Sequence, residues 1–211
     1  MGLFEGKVVL VTGGTGSFGG YFVNHLLDEN FQEIRIFSRD ELKQEEMRLR
    51  FQNSKIKFYI GDVRDRNSVD DAMIGVDYVF HAAALKQVPT CEFFPMQAMQ
   101  TNVIGSQNVI DSAISHNVSK VVSLSTDKAV YPVNALGITK ALMEKIVQAT
   151  SRKLLKGQTV FSIVRYGNVM FSRGSVIPLF MRLIKEKKAI TVTEPGMTRF
   201  LLPLKEAINL V

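Results

Sequence analysis

The chain has 211 residues, of which 46% are hydrophobic and 22% are charged, and its 26 basic and 20 acidic residues give a formal net charge of +6. This length supports one substantial hydrophobic core and the beginning of a second lobe, and the composition is ordinary for a globular protein. The basic residues are interleaved with acidic ones and form no stripe, so we do not expect nucleic-acid binding, and phosphorylated small molecules account for the surplus equally well.

The first predicted element is a buried strand at residues 7–11, which runs into a glycine-rich turn and then into a helix. The three glycines of the turn occupy positions where a Cβ atom would obstruct the turn, the approach of a pyrophosphate or the packing of strand on helix. The helix start directs backbone N–H groups and a partial positive charge into the turn, which favours phosphate. A purely structural tight turn is the alternative. We predict that a dinucleotide binds here, through Gly13, Thr15, Gly16, Ser17, Phe18 and Gly19.

Strand and helix patterns then alternate along the chain. Predicted strands follow at residues 33–37, 56–60, 76–80, 118–124 and 160–164, and predicted helices at about residues 41–51, 68–74, 95–117 and 136–154. This alternation predicts an α/β fold, a doubly wound parallel sheet of the Rossmann type with helices on both faces. With its Gly-x-x-Gly-x-x-Gly turn, the chain resembles the short-chain dehydrogenase/reductase superfamily, in its extended, nucleotide-sugar-modifying branch.

The pattern loosens beyond Arg165, where a short helix at 175–184, a short strand at 190–193 and a helix at 204–211 are predicted. We therefore expect an NADP-binding Rossmann domain at residues 1–166 and a partial nucleotide-sugar-binding lobe at residues 167–211. Enzymes of the branch that the chain resembles normally continue well past this point. The resemblance thus implies that much of the substrate lobe is absent and that the chain is a truncated product or a fragment.

The end of the second predicted strand indicates which nicotinamide cofactor fits. NAD-specific sites place a carboxylate there, whereas NADP sites use a small residue and a cation. Here the strand ends at Ser38 and Arg39, with Lys43 one helical turn further on, and the two cations can clamp a 2′-phosphate. Asp40 disagrees with this interpretation unless it caps the following helix, and an ordinary charged helix start is the alternative. We predict NADP rather than NAD.

The resemblance assigns two further segments to the cofactor. In the superfamily, residues after the third strand bind the adenine, and small side chains after the fourth strand lie against the cofactor's backbone. An alanine run is also typical of close packing. A lysine that follows this turn is assigned to both cofactor and substrate. The residues concerned are Asp62 and Val63, then Ala82, Ala83 and Ala84, and finally Lys86.

In this superfamily a Tyr-x-x-x-Lys pair lies on the helix after the fifth strand. Spacing of four puts both side chains on one helix face, where the lysine holds the nicotinamide ribose and lowers the pKa of the tyrosine. The lysine of this chain is Lys140, but the tyrosine position holds Leu136, which can neither donate nor accept a proton. Either the chain is inert and keeps only a cofactor-binding fold, or the acid–base work has moved elsewhere. We prefer the second interpretation.

Residues 125–129 read Ser-Thr-Asp-Lys-Ala directly after the fifth strand. This turn, with Arg165-Tyr-Gly-Asn-Val169 and Met197-Thr-Arg-Phe200, resembles the inverting UDP-N-acetylglucosamine 4,6-dehydratases of capsule and flagellar-glycan synthesis. Some members of that family also carry a non-tyrosine at the place of Leu136. The resemblance implies that hydride leaves C4 of the hexose and returns to C6, that water is lost across C5 and C6, and that C5 is inverted.

In that chemistry we expect three catalytic roles beside Lys140. Lys128 is the base at C5, which requires a pKa lowered by burial or by Lys140. Asp127 is the acid that helps water to leave, so it must be protonated at that step. Thr126 hydrogen-bonds the C4 oxygen. The alternatives are a turn-forming side chain for Asp127 and a solvated surface lysine for Lys128.

The resemblance also implies a set of contacts to a UDP-sugar. Two arginines of this set would face the diphosphate, for which a planar bidentate donor is well suited. Surface arginines at a lobe junction are the alternative. The expected substrate-binding residues are Lys86, Asn168, Arg173, Ser175, Thr198 and Arg199.

The sequence therefore favours an NADP-dependent UDP-N-acetylglucosamine 4,6-dehydratase with C5 inversion, in the synthesis of surface or capsular polysaccharide precursors. A UDP-glucose or UDP-N-acetylglucosamine 4-epimerase is the first alternative, and a non-catalytic NADP-binding module is the second. An epimerase needs no acid–base pair directed at C5 and C6, so the pair Asp127 and Lys128 favours the dehydratase.

The remaining expectations concern compartment and assembly. The single cysteine excludes an internal disulfide and fits a reducing compartment. No segment approaches the roughly 18 apolar residues of a membrane span, and the N-terminus lacks a secretory pattern, so we expect a cytoplasmic protein. Three scattered histidines and one cysteine give no credible metal site. The analogy with the family suggests a homo-oligomer.

Overall fold

The computed structural model describes residues 2–155, 157–172, 174–192 and 194–211. Its largest element is a parallel sheet of six strands: β1 (Val8–Thr12), β2 (Glu33–Ser38), β3 (Ile56–Ile60), β4 (Tyr78–His81), β5 (Lys120–Thr126) and β6 (Val160–Tyr166). The strand order is β3-β2-β1-β4-β5-β6, and all neighbouring strands are parallel. The predicted doubly wound parallel sheet is confirmed.

Nine α-helices are present in the described residues. They are α1 (Ser17–Leu26), α2 (Glu41–Phe51), α3 (Arg66–Met73), α4 (Val88–Phe93), α5 (Pro95–Met99), α6 (Gly105–Ser115), α7 (Ala135–Lys153), α8 (Val176–Lys185) and α9 (Leu204–Asn209). A π-helical turn, Gln100–Ile104, joins α5 to α6, and a 3-10 turn, Asp127–Ala129, follows β5. None of the described helices is both long and apolar enough to cross a lipid bilayer.

The two faces of the sheet carry separate hydrophobic cores. All five residues of β1 are buried, and they alternate between the two cores because successive side chains of a strand point to opposite faces. Val9 and Val11 pack with Phe22 and Leu26 of α1, whereas Leu10 packs on the side of α3 and α6. Helices therefore cover both faces, which explains why the strands read as continuous apolar runs without polar alternation.

The strand order reverses at β1, which pairs with β2 on one side and with β4 on the other. Chain connections run to opposite faces from such a point, so a crevice opens at the carboxyl ends of the two central strands. The turn that follows β1 and the turn that follows β4 meet there. The fold thus places its main ligand crevice next to the glycine-rich turn.

The predicted helix at 95–117 differs from the structure because its middle is a π-turn. Asn102, in that turn, accepts a hydrogen bond from the Leu85 amide at 2.8 Å and donates to the Leu85 carbonyl at 3.0 Å. Gly105 packs directly on Val63, since a Cβ atom there would lie 2.6 Å from Val63 Cγ2. Asn102 therefore has a structural hydrogen-bonding role, and the widened helical turn accompanies it.

Three other elements were not predicted correctly. Helix α4 was missed; it is short and has proline in its first turn, which suits a helix start. Residues 190–192 form no strand, while Thr193 lies outside the described residues. Instead, a small parallel sheet pairs β7 (Asn168–Val169) with β8 (Leu201–Leu202).

Helix α9 returns to the core of the six-stranded sheet. Ile208 is 4% exposed and packs in the same core as Phe22 and Leu26 of α1. The predicted division at residue 166 remains a prediction.

Candidate active site

The glycine-rich turn follows β1 and leads into α1. Gly13 has φ +67°, which favours glycine, and a Cβ atom at this position would lie 2.8 Å from the Ala83 amide nitrogen. A Cβ atom at Gly19 would lie 2.6 Å from the Gly13 carbonyl oxygen. The predicted residues Thr15 and Gly16 lie in this turn, and the next three, from Ser17, begin α1, whose N-terminus has no side-chain cap. Glycine therefore allows the turn after β1, the start of α1 and the turn after β4 to pack closely, and this cradle presents the N-terminus of α1, which has no side-chain cap, as a site for a phosphate group.

The turn after β4 is fixed against the glycine cradle by hydrogen bonds. The Ala82 amide donates to the Thr12 carbonyl at 3.1 Å, and the Ala83 amide donates to the Thr12 hydroxyl at 3.3 Å. His81, which precedes these alanines, is 1% exposed and bonds Thr12 through one ring nitrogen and Ser106 through the other. The sequence interpretation gave this histidine no role, although its position directly before an alanine run was visible.

The end of β2 carries the residues that were expected to select NADP. Ser38 is 9% exposed, and its hydroxyl and carbonyl both accept from the Gln44 amide. Asp40 caps α2 by accepting from the Lys43 amide at 3.0 Å, as the capping alternative predicted, and its carboxylate also pairs with the Lys43 ammonium. The Arg39 side chain is 55% exposed. Arg39 is therefore the more exposed of the two cations, since the Lys43 side chain is 38% exposed.

The residues expected to read the adenine lie beyond β3. Asp62 accepts hydrogen bonds from Arg64 and contacts Arg39 at 3.5 Å. Burial alone would raise the pKa of the Asp62 carboxyl, but the hydrogen bonds and charges of these arginines outweigh it and hold the pKa below its ordinary value. Val63 is buried, and its carbonyl accepts from Asn108. Asp62 is thus an ionised acceptor next to Arg39, whereas the Val63 side chain is part of the core.

A cleft of about 920 Å³ extends from this crevice towards the C-terminal residues. It brings together ten of the residues that the sequence singled out as site residues, namely Phe18, Ala82, Ala84, Lys86, Thr126, Lys128, Lys140, Asn168, Ser175 and Arg199. Among the described residues, its lining excludes the glycines of the cradle, the end of β2, Asp62, Val63, Ala83, Asp127 and Thr198. Arg173 lies outside the described residues.

Lys140 on α7 is 6% exposed and lines the cleft. Its ammonium contacts the Met143 sulfur at 3.4 Å, and it has no carboxylate within 4.0 Å in the part of the chain that the structure describes. Burial lowers the pKa of Lys140 to about 8, against a smaller opposing effect of the Glu144 charge. Leu136, one turn earlier, also lines the cleft and is 5% exposed. The position of the missing tyrosine therefore faces the site and is apolar.

Thr126, Asp127 and Lys128 form a hydrogen-bonded corner at the carboxyl end of β5. The Thr126 hydroxyl donates to Asp127 Oδ1 at 2.8 Å, and Lys128 Nζ donates to the same oxygen at 3.0 Å. Lys128 Nζ also donates to Asn168 Oδ1 at 3.2 Å. Helix α7 packs on this corner, because a Cβ atom at Gly137 would lie 2.4 Å from the Lys128 carbonyl oxygen.

The charges of this corner differ from the sequence expectation. Burial alone would raise the pKa of Asp127, but hydrogen bonds from Thr126 and Lys128 outweigh it and hold the pKa below its ordinary value. Asp127 is thus ionised before any ligand binds, whereas the acid role required a protonated group. The Lys128 side chain is 32% exposed and ion-paired, so the burial that the base hypothesis invoked is incomplete.

A buried carboxylate that the sequence interpretation missed lies behind the corner. The Glu144 side chain is 4% exposed, and it accepts from Arg165 Nε at 2.8 Å and from the Ser125 hydroxyl at 2.5 Å. Its only sequence signal is its position four residues after Lys140 on the same helix face. The contacts connect α7 to β5 and β6 next to Thr126 and Tyr166.

The far wall of the cleft contains three of the expected substrate residues, Asn168, Ser175 and Arg199. The Ser175 hydroxyl is buried and has no hydrogen-bond partner among the described residues. Arg199 donates to the Thr198 carbonyl at 2.8 Å. The cleft thus offers unpaired and cationic donors on the side opposite the cofactor crevice.

The chain is similar to curated proteins in sequence and to solved structures in fold. Proteins from Rickettsia prowazekii and Rickettsia bellii, both named UDP-glucose 4-epimerase, are 60% identical to the chain over 213 residues, which is 99% of the chain and 62% of each relative. The chain therefore spans less than two thirds of the length of these relatives. The structure of Pen from Bacillus thuringiensis is 43% identical, with a TM-score of 0.96 over 99% of this chain and 64% of that one.

More distant structures share the fold alone. The dTDP-glucose 4,6-dehydratase DesIV from Streptomyces venezuelae, solved with NAD bound, is 23% identical with a TM-score of 0.85, over 96% of this chain and 70% of that one. A family model described as "Polysaccharide biosynthesis protein" matches residues 9–211. The chain therefore belongs to the polysaccharide biosynthesis protein family and has the extended short-chain dehydrogenase/reductase fold of nucleotide-sugar epimerases and dehydratases.

Proposed function

We propose that this chain provides the cofactor-binding and catalytic part of a UDP-hexose 4-epimerase, with UDP-glucose or UDP-N-acetylglucosamine as substrate, in the synthesis of surface polysaccharide precursors. The observation that carries the proposal is the continuous cleft from Phe18 and the alanine turn to Thr126, Lys128 and Lys140. The names of the Rickettsia relatives support this function better than they support the dehydratase.

A nicotinamide dinucleotide fits the cradle, because Gly13 and Gly19 let the turn pack closely on Ala83 and on itself, and the N-terminus of α1, which has no side-chain cap, offers backbone N–H groups to a pyrophosphate. When bound, it supplies reversible hydride acceptance at C4 of the hexose. The start of α1 would hold the pyrophosphate, and Lys140 would hold the nicotinamide ribose from the buried side of the cleft. Ala82 and Ala84 leave room for the cofactor between them.

We propose NADP as the cofactor, with NAD as the alternative that DesIV illustrates in its own site. Ser38 is small, and the Arg39 side chain is 55% exposed, so its guanidinium could reach a 2′-phosphate by giving up one 3.5 Å contact with Asp62. The Lys43 ammonium pairs with Asp40, so it would have to exchange this partner for the phosphate. Arg39 would therefore contribute more to the discrimination than Lys43.

For the UDP-sugar we propose contacts on the far wall, within a partial substrate lobe at residues 167–211. Arg173 and Arg199 would face the diphosphate, and Lys86, Asn168, Ser175 and Thr198 would contact the sugar or its linkage. The unpartnered Ser175 hydroxyl supports a polar ligand at this wall. The Thr126 hydroxyl would hydrogen-bond the C4 oxygen from the opposite wall.

A 4,6-dehydratase with C5 inversion is the second candidate, and the ion pair of Asp127 with Lys128 favours it. Lys128 lines the cleft, where a base for the C5 proton would be needed. Asp127 does not line the cleft, so it could deliver a proton for the departing C6 hydroxyl only through Thr126 or Lys128. An epimerase has no use for a base at C5.

Incubation of the chain with NADP and each UDP-sugar, followed by proton NMR, tests the proposal. A galacto-configured product supports the epimerase, and a 4-keto-6-deoxy sugar with solvent deuterium at C5 supports the dehydratase instead. The absence of any product, with NADP binding retained in calorimetry, would leave a non-catalytic NADP-binding module. Lys128→Ala tests the dehydratase further, because removing the base should abolish deuterium uptake at C5.

We also propose a homo-oligomer in the cytoplasm. The family analogy supports the oligomer, and the cysteine content supports the compartment. Light scattering of the purified chain measures the first, and fractionation of cells with an antibody to the chain measures the second.

A further inference from the structure

Next to Lys140, the described lining of the cleft has no tyrosine to accept the proton of a C4 hydroxyl. The one carboxylate of that lining, Glu194, belongs to the C-terminal loop, where it accepts from the Gly196 amide at 3.3 Å. Leu136 occupies the tyrosine position and has no polar atom. Tyr166 also lines the cleft, but burial raises the pKa of its phenol, which makes ionisation unfavourable. The three lysines of the cleft, Lys86, Lys128 and Lys140, offer ammonium donors while they are charged. A sugar hydroxyl that loses hydride from its carbon needs an acceptor that is already deprotonated.

The Thr126 hydroxyl is the acceptor that the geometry offers. Its own proton is directed at Asp127 Oδ1, 2.8 Å away, and one lone pair accepts from the Lys128 amide at 3.4 Å, so one lone pair is left for a donor in the cleft. Thr126 lines the cleft, whereas Asp127 does not, so the carboxylate reaches the ligand space through the hydroxyl. The backbone amide of Lys128, at 2.9 Å, and its side-chain Nζ, at 3.0 Å, both donate to the same carboxylate oxygen and hold it in place.

We propose that Thr126 and Asp127 form a proton relay that takes the proton of the substrate's C4 hydroxyl and so replaces the missing tyrosine. The inference rests on the proposed function, since it concerns the oxidation at C4 that the epimerase and the dehydratase share. Thr126 is the residue that touches the substrate. Asp127 is a positioning residue that acts through Thr126.

The step balances without a further reactant. A bound oxidised nicotinamide would supply the acceptor for the C4 hydrogen and its bonding electron pair. The residues of the chain take the proton: the O4 proton moves to Thr126 Oγ1, and the proton of that hydroxyl moves to Asp127 Oδ1. The sugar becomes a 4-ketone, and Asp127 becomes a neutral carboxylic acid. In an epimerase both transfers reverse when C4 is reduced from its other face.

The charge state of the corner suits this direction. Asp127 begins as a carboxylate, because the hydrogen bonds from Thr126 and Lys128 keep its pKa low, and it is therefore ready to accept. In a dehydratase the same event would load Asp127 with the proton that the departing C6 hydroxyl needs. The low pKa of Asp127 and its expected acid role are then two stages of one cycle.

The test compares four variants in single-turnover reduction of bound NADP by UDP-glucose and UDP-N-acetylglucosamine. Thr126→Val and Asp127→Asn should each slow the reduction about 100-fold or more, with UDP-sugar affinity within about threefold, because they remove proton transfer but not binding. Thr126→Ser should stay within about tenfold of the wild type. Adding Leu136→Tyr to Asp127→Asn should restore the rate at least about tenfold, since a tyrosine next to Lys140 supplies the same acceptor.

A readout without cofactor or substrate checks the coupling itself. In Thr126→Val the pKa of Asp127, followed by carboxyl-carbon NMR, should rise because a hydrogen bond to the ionised form is lost. Asp111→Asn, a carboxylate on α6 outside the cleft lining, should leave rate and Asp127 titration unchanged.

The outcomes separate the relay from the proposed function. If the wild-type chain reduces NADP and Asp127→Asn does so at a rate within about threefold of it, the relay is wrong and the proposed function still stands. Failure of Leu136→Tyr to rescue a slow Asp127→Asn also overturns it, because the loss is then structural. Wild-type chain that binds NADP but never reduces it overturns both.

Discussion

The Thr12 hydroxyl and the His81 ring, at the carboxyl ends of the adjacent strands β1 and β4, are 2.7 Å apart and fully buried. The direction of this hydrogen bond follows from the neighbours of the ring. Ser106 donates its hydroxyl to the Asn102 carbonyl at 2.8 Å, so it must accept from His81 Nε2. His81 Nδ1 is therefore unprotonated and accepts from Thr12. The histidine is neutral and joins the cofactor crevice to the π-turn.

This arrangement makes the protein sensitive to acid. Burial, helped by the charge of Lys140, lowers the pKa of His81 to about 3, so below its ordinary value near 6.5 only the unfolded chain takes up the proton. Stability is therefore complete above pH 6.5 and falls as the pH drops towards 3. Between pH 7 and 5 the loss should be about 2 kcal/mol. Urea unfolding at the two pH values measures it.

The control for the acid sensitivity is the exposed His25 of α1. His81→Gln should lose most of the difference between pH 7 and 5, whereas His25→Gln should retain it. An equal pH dependence in wild type and His81→Gln would show that other groups cause the effect.

Adjacent glycines of α1 should respond in opposite ways to alanine. At Gly19 a Cβ atom would lie 2.6 Å from the Gly13 carbonyl oxygen, so Gly19→Ala must displace the cradle and should abolish dinucleotide binding in calorimetry. At Gly20 the nearest atom would be 3.5 Å away, an ordinary contact. Gly20→Ala should therefore bind normally and gain up to about 1 kcal/mol of stability from helix propensity. Similar binding by both variants would contradict the cradle.

The parts of the fold that the sequence predicted are those with local signals. The glycine turn combines a buried strand, three glycines and a helix start within residues 7–27, and the strand and helix periods repeat along the chain. The observed strand ends differ from the predicted ends by up to two residues, because strand pairing, rather than composition, sets them. Asp77, placed in the fourth strand by its apolar neighbours, instead accepts from the Val8 amide at 2.9 Å and precedes that strand.

The parts that were missed depend on contacts between distant residues. Ser125 and Arg165 are register partners on β5 and β6, and both bind Glu144 on α7, a meeting that no local pattern reveals. Likewise, the sequence identified the motif at residues 125–129 as a candidate site, but it did not predict the charge state of Asp127. The direction of the Thr126 hydrogen bond, which makes Asp127 an acceptor, exists only in the folded corner.

The buried Lys140 ammonium should reduce the stability of the fold, although the side chain has a role in the cleft. Because its pKa falls to about 8 from 10.5, the unfolded chain binds the proton more tightly, and the cost is complete below pH 8 and disappears as the pH rises towards 10.5. Lys140→Met should therefore stabilise the fold by about 2 kcal/mol at pH 7 and by much less at pH 10, while abolishing turnover. Urea unfolding at both pH values measures this. Lys145→Met, an exposed lysine of the same helix, should change stability by less than about 0.5 kcal/mol.

Cofactor selection should depend on Arg39 more than on Lys43. Arg39→Ala should weaken NADP binding about tenfold and leave NAD binding within about twofold, because the guanidinium meets only the 2′-phosphate. Lys43→Ala should have a smaller effect, since its ammonium already pairs with Asp40. Calorimetric titration with each cofactor measures the affinities, and Arg50→Ala at the far end of α2 is the control. Equal losses for NADP and NAD in Arg39→Ala would indicate a general charge effect rather than selection.

Leaving the buried Glu144 carboxylate without its arginine partner should lower the free energy of unfolding. Arg165→Met removes the donors at both of its oxygens and leaves Ser125, so stability should fall by about 2 kcal/mol, less than for a fully buried pair because the Arg165 side chain is 47% exposed. Adding Glu144→Gln should recover much of this loss, since no charge is then buried. Lys188→Met, which breaks an exposed pair with Glu186, should cost less than about 0.5 kcal/mol. Additive losses in the double variant, measured by chemical denaturation, would mean that the pair is not coupled.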